Sequence, residues 1–287
     1  MKFSVFTAST PEWTPQETAR ILAAQGWDGI EWRVTDQEPS DPPGFWAGNR
    51  ATWPLTGLEA SLPEIARTTV DAGLEMSGIG GYVGASDRAG VERMLSATAV
   101  LGARQVRVTM PGTTGPADYR DLFARTRLDL EWAVERAAAY GVKVLVELHH
   151  RTIVTSASAA ARLLDGLDPA YIGVIHDLGN LVIEGQEDAL SGFQLLGDHL
   201  AHIHVKNVSW HPVREDPVEG TVWEERWATL RGGQASVPGY LDALAEIGYD
   251  GWVTLEDFST ELPLEERLAD DLAYLRAVHA HVGAQRG

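Results

Sequence analysis

The chain has 287 residues, of which 44% are apolar, and its 23 basic and 41 acidic residues give a net charge of -18. This acidity argues against a nucleic-acid groove and disfavours an anionic membrane surface, because both need positive charge. No apolar run reaches the roughly 18 residues of a membrane span. The chain contains no cysteine, which excludes disulfides and thiolate chemistry. Because residues 1–7 enter a strand without signal-peptide features, we expect a cytoplasmic location.

Eight predicted strands alternate with eight predicted helices along the whole chain. The strands lie at residues 2–7, 29–34, 74–79, 105–110, 141–147, 171–176, 201–205 and 252–255. The helices lie at about residues 14–26, 62–73, 87–102, 117–140, 156–167, 187–197, 238–247 and 264–281. This α/β alternation favours a closed (β/α)8 TIM barrel over an open doubly wound sheet. No glycine-rich phosphate-binding motif follows the first strand.

Two long connections interrupt this alternation inside what we predict to be a single domain, residues 1–287. Residues 36–57 follow the second strand, and residues 207–234 follow the seventh. Both therefore lie over the C-terminal face, where such barrels bind substrates. Five of the ten tryptophans lie in them. The aromatic rings could form walls over the barrel mouth, or they could pack the loops down or form a subunit interface, and the sequence leaves these alternatives open.

Acidic and imidazole side chains stand at the ends of the last four strands. They are Glu147, Asp177, His204 and Glu256. Because the carboxyl ends of parallel strands meet at one end of a barrel, these groups would repel one another without a cation between them. Oxygen-rich ligation with one nitrogen suits Mn²⁺, Mg²⁺ or Co²⁺, and Zn²⁺ stays an alternative. The competing interpretation is a set of separate salt bridges around the rim.

Further polar residues near the strand ends are candidates for binding substrate. His149 shares the strand face of Glu147, and Arg107 and Lys206 lie on the fourth and seventh strands. Arg107 and Lys206 could instead pair with neighbouring carboxylates. His202 is interpreted as a hydrogen-bonded interior residue and His176 as packing against a helix.

The chain resembles the sugar phosphate isomerase/epimerase superfamily of xylose-isomerase-like barrels over nearly its whole length. The resemblance is carried by the segments Gly-Ile-Glu-Trp-Arg at 29–33, Val-Glu-Leu-His at 146–149, His-Asp-Leu-Gly-Asn at 176–180, His-Ile-His-Val-Lys-Asn at 202–207 and Val-Thr-Leu-Glu at 253–256. It implies that Glu147, Asp177, His204 and Glu256 bind one divalent ion, commonly Mn²⁺ or Mg²⁺. Ketose 3-epimerases of the superfamily carry a histidine where this chain has Asn180 and an arginine where it has Trp210. We therefore expect Asn180, Trp210 and Trp46 to contact substrate.

The leading functional prediction is a metal-dependent sugar or sugar phosphate isomerase or epimerase. Glu147 and Glu256 would remove and return a proton next to a carbonyl through an enediolate. The same residues could instead support elimination, as in a lyase or dehydratase acting on a keto-inositol or a 3-keto-glycoside. A noncatalytic sugar-binding barrel or a subunit of a glycoside-cleaving complex is the alternative from another class. The expected partner is a small sugar or polyol, with no nucleic acid and no membrane, and we expect a homo-oligomer, a dimer or a tetramer.

Overall fold

Eight parallel strands close into a barrel in the computed structural model, which describes residues 1–115 and 117–286. The barrel strands are β1 (Lys2–Phe6), β2 (Gly29–Val34), β3 (Glu75–Gly81), β4 (Gln105–Val108), β5 (Lys143–Glu147), β6 (Ile172–Asp177), β7 (Leu200–Val205) and β10 (Trp252–Leu255). Strands β8 (Asn207–Asp216) and β9 (Gly220–Ala228) form a separate hairpin. The first strand, β1, pairs in parallel with both β2 and β10, which closes the barrel. The predicted (β/α)8 TIM barrel is confirmed.

The helices surround this barrel. They are α1 (Pro15–Gln25), α2 (Leu58–Asp71), α3 (Arg88–Val100), α4 (Tyr119–Tyr140), α5 (Ala157–Leu164), α6 (Leu178–Glu184), α7 (Ala189–Leu196), α8 (Val237–Glu246) and α9 (Leu264–Arg286). Helix α1 begins at a capping box, in which Thr14 and Glu17 satisfy each other's backbone N–H groups. Within residues 1–115 and 117–286, no helix is both long and apolar enough to cross a membrane.

The barrel interior contains a layer of polar side chains below the C-terminal face. The Ser4 and Thr254 hydroxyls lie 2.6 Å apart, and Thr254 Oγ1 lies 2.8 Å from His202 Nε2. Gln105 Nε2 lies 2.8 Å from His202 Nδ1, and all four residues are buried. Buried polar groups are costly unless hydrogen bonded, so this connected layer forms a stable base for the side chains above it. It agrees with the prediction that His202 is an interior hydrogen-bonded residue.

The connection after β7 is more regular than the sequence suggests. Strands β8 and β9 pair antiparallel, from Asn207 opposite Ala228 to Asp216 opposite Gly220. The hairpin begins directly beyond the C-terminal end of β7 and therefore extends from the C-terminal face of the barrel. The connection after β2 remains irregular, and buried Asn49 ties it to the carbonyl of Ala8 at 2.9 Å. The assignment of the whole chain to one domain stays a prediction.

Candidate metal centre

Four predicted ligands converge at the C-terminal end of the barrel. One potential ligand atom from each of Glu147, Asp177, His204 and Glu256 lies within 4.8 Å of all the others. The side chains belong to β5, β6 and β7 and to the residue after β10, and all four are buried. The strand ends therefore meet as the parallel barrel requires. Three carboxylates this close together repel one another unless positive charge lies among them.

The imidazole of His204 directs one unpaired nitrogen into this cluster. Its Nε2 lies 3.2 Å from Glu31 Oε2, and because a carboxylate can only accept, Nε2 carries the hydrogen. Its Nδ1 is buried and has no hydrogen-bond partner among the described residues. That Nδ1 atom lies 3.5 Å from Glu147 Oε1 and 3.9 Å from both Asp177 Oδ2 and Glu256 Oε2. An imidazole oriented by a carboxylate behind it is the usual arrangement of a metal-binding histidine.

Glu31 supports His204 from the second strand of the barrel. This carboxylate is 2% exposed, and its Oε2 also lies 2.8 Å from His202 Nε2. Burial alone would raise the pKa of Glu31, but His204 and His202 outweigh burial and lower that pKa well below its ordinary value. Glu31 is therefore a fixed anion that orients two histidines. Glu31, His202 and His204 also form a second group whose atoms are close enough to hold a metal ion, although His204 directs only its Nε2 toward it.

Two buried cations contact the carboxylates of the cluster. Arg107 donates from Nη1 to Glu147 Oε2 at 2.5 Å. Lys206 donates from Nζ to Asp177 Oδ2 at 2.6 Å and also to Glu256 Oε2. Both side chains are nearly inaccessible, so these ion pairs are weakly screened by water. The alternative that Arg107 and Lys206 pair with carboxylates is thus what the structure shows.

Burial and these ion pairs together shift the proton affinities of the cluster residues, in different directions for different residues. Burial alone would raise the pKa of Glu147, but Arg107, His204 and His149 together outweigh burial and lower that pKa well below its ordinary value. Burial raises the pKa of Asp177 to about 7, with Lys206 opposing the shift and Glu256 and Glu147 adding to it. Burial alone would lower the pKa of Lys206, but Asp177 and Glu256 raise it above its ordinary value. Lys206 is therefore a permanent cation.

Two glycines make room for these side chains. A Cβ atom on Gly179 would lie 2.4 Å from Lys206 Cγ, so the lysine reaches the carboxylates only because this position has no side chain. A Cβ atom on Gly80 would lie 2.1 Å from the ring of Phe6. That ring stacks on His204 with 5.7 Å between the ring centroids. At both positions the absence of a side chain allows a neighbouring group to approach the backbone closely.

A model of the xylose isomerase-like TIM barrel family matches residues 19–278. The chain belongs to this family. Among curated proteins, the inosose dehydratase of Lacticaseibacillus casei is 30% identical over 144 residues, which is 47% of this chain and 47% of that protein. The inosose dehydratase of Lactiplantibacillus plantarum is 29% identical over 143 residues, 46% of each chain. The chain thus aligns with about half the length of these relatives.

Solved structures of the xylose isomerase-like barrel support the same fold. The IOLI protein with a bound zinc atom has a TM-score of 0.74, 18% sequence identity and coverage of 98% of this chain and 99% of that chain. A xylose isomerase-like TIM barrel protein from Mycobacterium smegmatis in complex with magnesium has a TM-score of 0.71, 18% identity and coverage of 98% and 97%. At these identities the likeness concerns the fold alone.

The donor set of this chain fits a divalent metal ion. The cluster and its hydrogen-bonding shell contain four carboxylates, those of Glu31, Glu147, Asp177 and Glu256. Among the described residues, the lysine and arginine side chains that contact them are Arg107, on Glu147, and Lys206, on Asp177 and Glu256, while Glu31 contacts only the two histidines. A divalent ion would balance the negative charge that these two cations leave on the carboxylates. It would also accept the lone pair of His204 Nδ1, which has no hydrogen-bond partner among the described residues. Three carboxylates and one imidazole suit Mn²⁺, Mg²⁺ or Zn²⁺, so the donor set does not choose among these metals.

A cavity of about 410 Å³ opens above the cluster. Seven predicted site residues line it: Glu147, Glu256, His149, Arg107, Lys206, Asn180 and Trp46. Asp177 and His204 lie beneath them and are fully buried. Trp210 is not among the lining residues in the described parts of the chain, and its Nε1 donates to the carbonyl of Val182 at 3.3 Å. A substrate contact through Trp210 stays a prediction without support from this geometry.

The cavity is also lined by Tyr82 and Phe258, which were not predicted from the sequence, and by Trp227, one of the loop tryptophans for which a wall over the barrel mouth was one of the open alternatives. Tyr82 follows β3 and lies between two guanidiniums, 4.4 Å from Arg107 and 4.8 Å from Arg33 when measured from ring centroid to Cζ. Trp227 on β9 and Phe258 after β10 form part of the wall. The one available signal was position, because each of these residues lies at or just beyond the C-terminal end of a strand.

Proposed function

We propose that the chain is a metal-dependent dehydratase acting on a cyclic polyol ketone. The observation that carries this proposal is the buried ligand cluster at the floor of an aromatic-walled cavity. The activity of the partly aligned relatives, which are inosose dehydratases, supports elimination over isomerisation or epimerisation. In elimination, the carbon next to the carbonyl loses a proton and the following carbon loses its hydroxyl, so that one water molecule leaves.

Hydrogen bonding suggests which group moves the proton. His149 Nδ1 lies 2.9 Å from the carbonyl oxygen of His150, and because a carbonyl only accepts, Nδ1 carries a hydrogen. We propose that the ring acts in its neutral form. Nε2 then has a lone pair, and His149 lines the cavity. In contrast, Glu147 and Glu256 each accept through Oε2 from a buried cation, so these oxygens are less available to a substrate proton. We therefore propose that His149 Nε2 takes the proton from carbon and passes it to the departing hydroxyl.

The remaining residues have supporting roles in this scheme. Glu147, Asp177, His204 and Glu256 would hold a divalent ion, which when bound supplies positive charge to the substrate carbonyl oxygen as the proton is removed. Asn180 holds His150, the neighbour of His149 in the chain, because Asn180 Oδ1 lies 2.8 Å from His150 Nδ1. Asn180 also donates from Nδ2 to the carbonyl of Leu148 at 3.1 Å. Both contacts keep the residues after β5 in place beside the cavity.

The experiment is a reaction of the manganese-loaded protein with a keto-inositol in deuterated water, followed by proton NMR. We expect an unsaturated product that has lost one water molecule. His149→Gln should lower its rate by about 10² to 10⁴, the usual contribution of a general base. His281→Gln, an exposed histidine on α9, is the matched control and should leave the rate unchanged. Absence of both product and deuterium incorporation, with the metal site filled, would refute the enzymatic proposal.

Epimerisation is the second candidate, because both Glu147 and Glu256 line the cavity and could act as the predicted pair of acid and base. It would give deuterium on the carbon next to the carbonyl and a new stereoisomer, with no loss of water. Glu256→Gln would then abolish exchange while His149→Gln kept it. The two variants therefore separate the candidates, provided metal content is measured for each.

A further inference from the structure

Arg33 is a buried arginine that bonds only to neutral oxygens among the described residues. It lies two residues beyond Glu31 on β2, so both side chains point into the barrel. Its Nη1 donates to Thr52 Oγ1 at 3.0 Å, to the carbonyl of Phe45 at 3.2 Å and to Gln37 Oε1 at 3.3 Å. Its Nε is buried without a hydrogen-bond partner in the described parts of the chain. Buried charges are usually paired with an opposite charge, so this guanidinium calls for an explanation.

The ring of Tyr82 lies between Arg33 and a second buried guanidinium, that of Arg107. The centroid of the ring is 4.8 Å from Arg33 Cζ and 4.4 Å from Arg107 Cζ. Arg107 Nε also donates to the carbonyl of Gly81 at 3.1 Å, which holds the backbone directly before Tyr82. Two positive charges this close, in a site with little water, stabilise negative charge that develops beside the phenol.

The Tyr82 hydroxyl is available to a bound substrate. Tyr82 follows β3, which lies opposite β7 in the closed circle of eight strands, and its partly buried side chain lines the cavity. The arginines on either side donate to other oxygens, and no described residue accepts a hydrogen bond from the Tyr82 hydroxyl. A substrate whose carbonyl oxygen faces the ligand cluster would therefore extend toward this donor from the other side of the barrel mouth.

We infer that Tyr82 is a further catalytic residue, which donates a hydrogen bond to the hydroxyl that leaves the substrate. The inference rests on the proposed function and adds the group that assists breaking of the carbon–oxygen bond. The electron pair of the broken C–H bond forms the new double bond, and the electron pair of the C–O bond goes to the departing oxygen. Negative charge develops on that oxygen, and the hydrogen bond from Tyr82 stabilises it. His149 supplies the proton that completes the water molecule, so Tyr82 keeps its own.

Tyr82→Phe tests this role, because it keeps the ring between the two guanidiniums and removes only the hydroxyl. The manganese-loaded protein reacts with a keto-inositol in deuterated water. We expect loss of water to slow by about 10²-fold, the order that one well-placed hydrogen-bond donor contributes. Deuterium should still enter the recovered substrate next to the carbonyl, because His149 continues to remove that proton. The ratio of deuterium incorporation to water loss should therefore rise at least about tenfold.

A substrate analogue separates this role from a structural one. When fluorine replaces the departing hydroxyl, fluoride leaves as a stable anion and needs less help from a donor. We expect Tyr82→Phe to slow fluoride loss, followed by fluorine NMR, by less than about tenfold. Unchanged loss of water in Tyr82→Phe, or equal slowing of water loss, fluoride loss and deuterium incorporation, would overturn the inference.

Tyr274→Phe is the matched control. Tyr274 on α9 also stacks on a guanidinium, with Arg231 Cζ 4.1 Å from its ring centroid, but it is not among the described residues that line the cavity. We expect none of the three rates to change in this variant. Arg33→Met, which removes the charge behind Tyr82, should slow water loss more than fluoride loss. Equal slowing of the two would overturn the role given to Arg33.

The same experiment separates this inference from the proposed function. If the unaltered chain with its metal site filled loses neither water nor fluoride from these substrates, both proposals are overturned. If the unaltered chain loses water and Tyr82→Phe does so at the same rate, the dehydratase proposal stands and the role of Tyr82 is refuted.

Discussion

Replacing Glu31 by glutamine should weaken metal binding although Glu31 is not one of the four ligands. Its Oε2 accepts from His204 at 3.2 Å and from His202 at 2.8 Å, and the side chain is 2% exposed. A glutamine of nearly the same size removes the negative charge that orients His204. The same charge makes His204 Nδ1 a stronger ligand for a metal ion. The amide also brings two N–H donors into a position that has two donors already.

The size of the effect follows from the geometry. Loss of a carboxylate behind a metal-binding histidine typically costs 10- to 100-fold in affinity, or about 1.4 to 2.7 kcal/mol. Because the site is buried and Glu31 supports two histidines, we expect the upper part of this range for Glu31→Gln. Manganese affinity can be measured by competition with a fluorescent chelator, and circular dichroism of the same samples confirms that the variant is folded.

Glu75→Gln is the matched control for this experiment. Glu75 begins the neighbouring strand β3 at the opposite end of the barrel, where its carboxylate pairs with Lys2 at 2.7 Å and is 61% exposed. We expect manganese affinity to be unchanged in this variant. A folded Glu31→Gln protein whose affinity stays within about twofold of the unaltered chain would refute the argument, because the expected loss is at least tenfold.

Three further predictions concern stability. Gly80→Ala should destabilise the fold by about 1 to 3 kcal/mol in urea denaturation, because its Cβ would meet the Phe6 ring, whereas Gly283→Ala in α9, with open space around it, should be neutral or stabilising. Burial raises the pKa of Asp271 to about 9, so the folded state binds its proton more tightly than the unfolded state and stability should fall as pH rises from about 4 to 9. Asp271→Asn should therefore reduce this loss of stability by at least about 1 kcal/mol at pH 8. The control is Glu266→Gln, an exposed position on the same helix, which should leave the pH dependence of stability unchanged. An unchanged pH dependence in Asp271→Asn would contradict this prediction. Chelation of the metal should lower the melting temperature reversibly, since ligand binding stabilises the folded state, and an unchanged melting temperature would argue against a metal site.

Much of the barrel could be predicted because its local signals agree with the global fold. The predicted strands at 29–34 and 252–255 have the bounds of β2 and β10. Helix α6 was missed because seven residues are too few to show a helical period. It begins directly at a strand end, where the Asp177 side chain accepts from the backbone N–H of Asn180 at 2.9 Å. One carboxylate therefore serves as helix cap and candidate ligand, which a sequence pattern does not show.

The hairpin was missed for a different reason. Its register shifts between Pro212 and Arg214, and most of its residues are only partly buried or exposed. A strand without a buried face has no alternation of apolar and polar residues to read. The positions of Trp210 and Trp227 could not be predicted for the same reason, because the twist of the hairpin decides which of the two faces the cavity. The structure directs Trp227 toward the cavity and packs Trp210 against Val182.

The ligand set could be predicted because it depends only on strand order, whereas the ion pairs depend on register and side-chain length. Arg107 lies beside Leu145 in the β4–β5 register, which allows its long side chain to reach Glu147, two residues further along. Lys206 passes over Gly179 and reaches both Asp177 and Glu256. The sequence offered each of these cations several acidic partners at the same end of the barrel, and only the packed barrel selects among them.

These ion pairs change the expected division of roles in the site. A carboxylate oxygen that accepts a hydrogen bond from a buried cation has that lone pair already engaged, so it is less available to a carbon-bound proton. Both Glu147 and Glu256 are in this position, since Arg107 and Lys206 contact them directly. The proposed proton transfer then requires a group outside the cluster with a free lone pair. Imidazole has this property, and His149 brings one to the cavity at the end of the strand that supplies Glu147, so ligand and base come from the same short segment of chain.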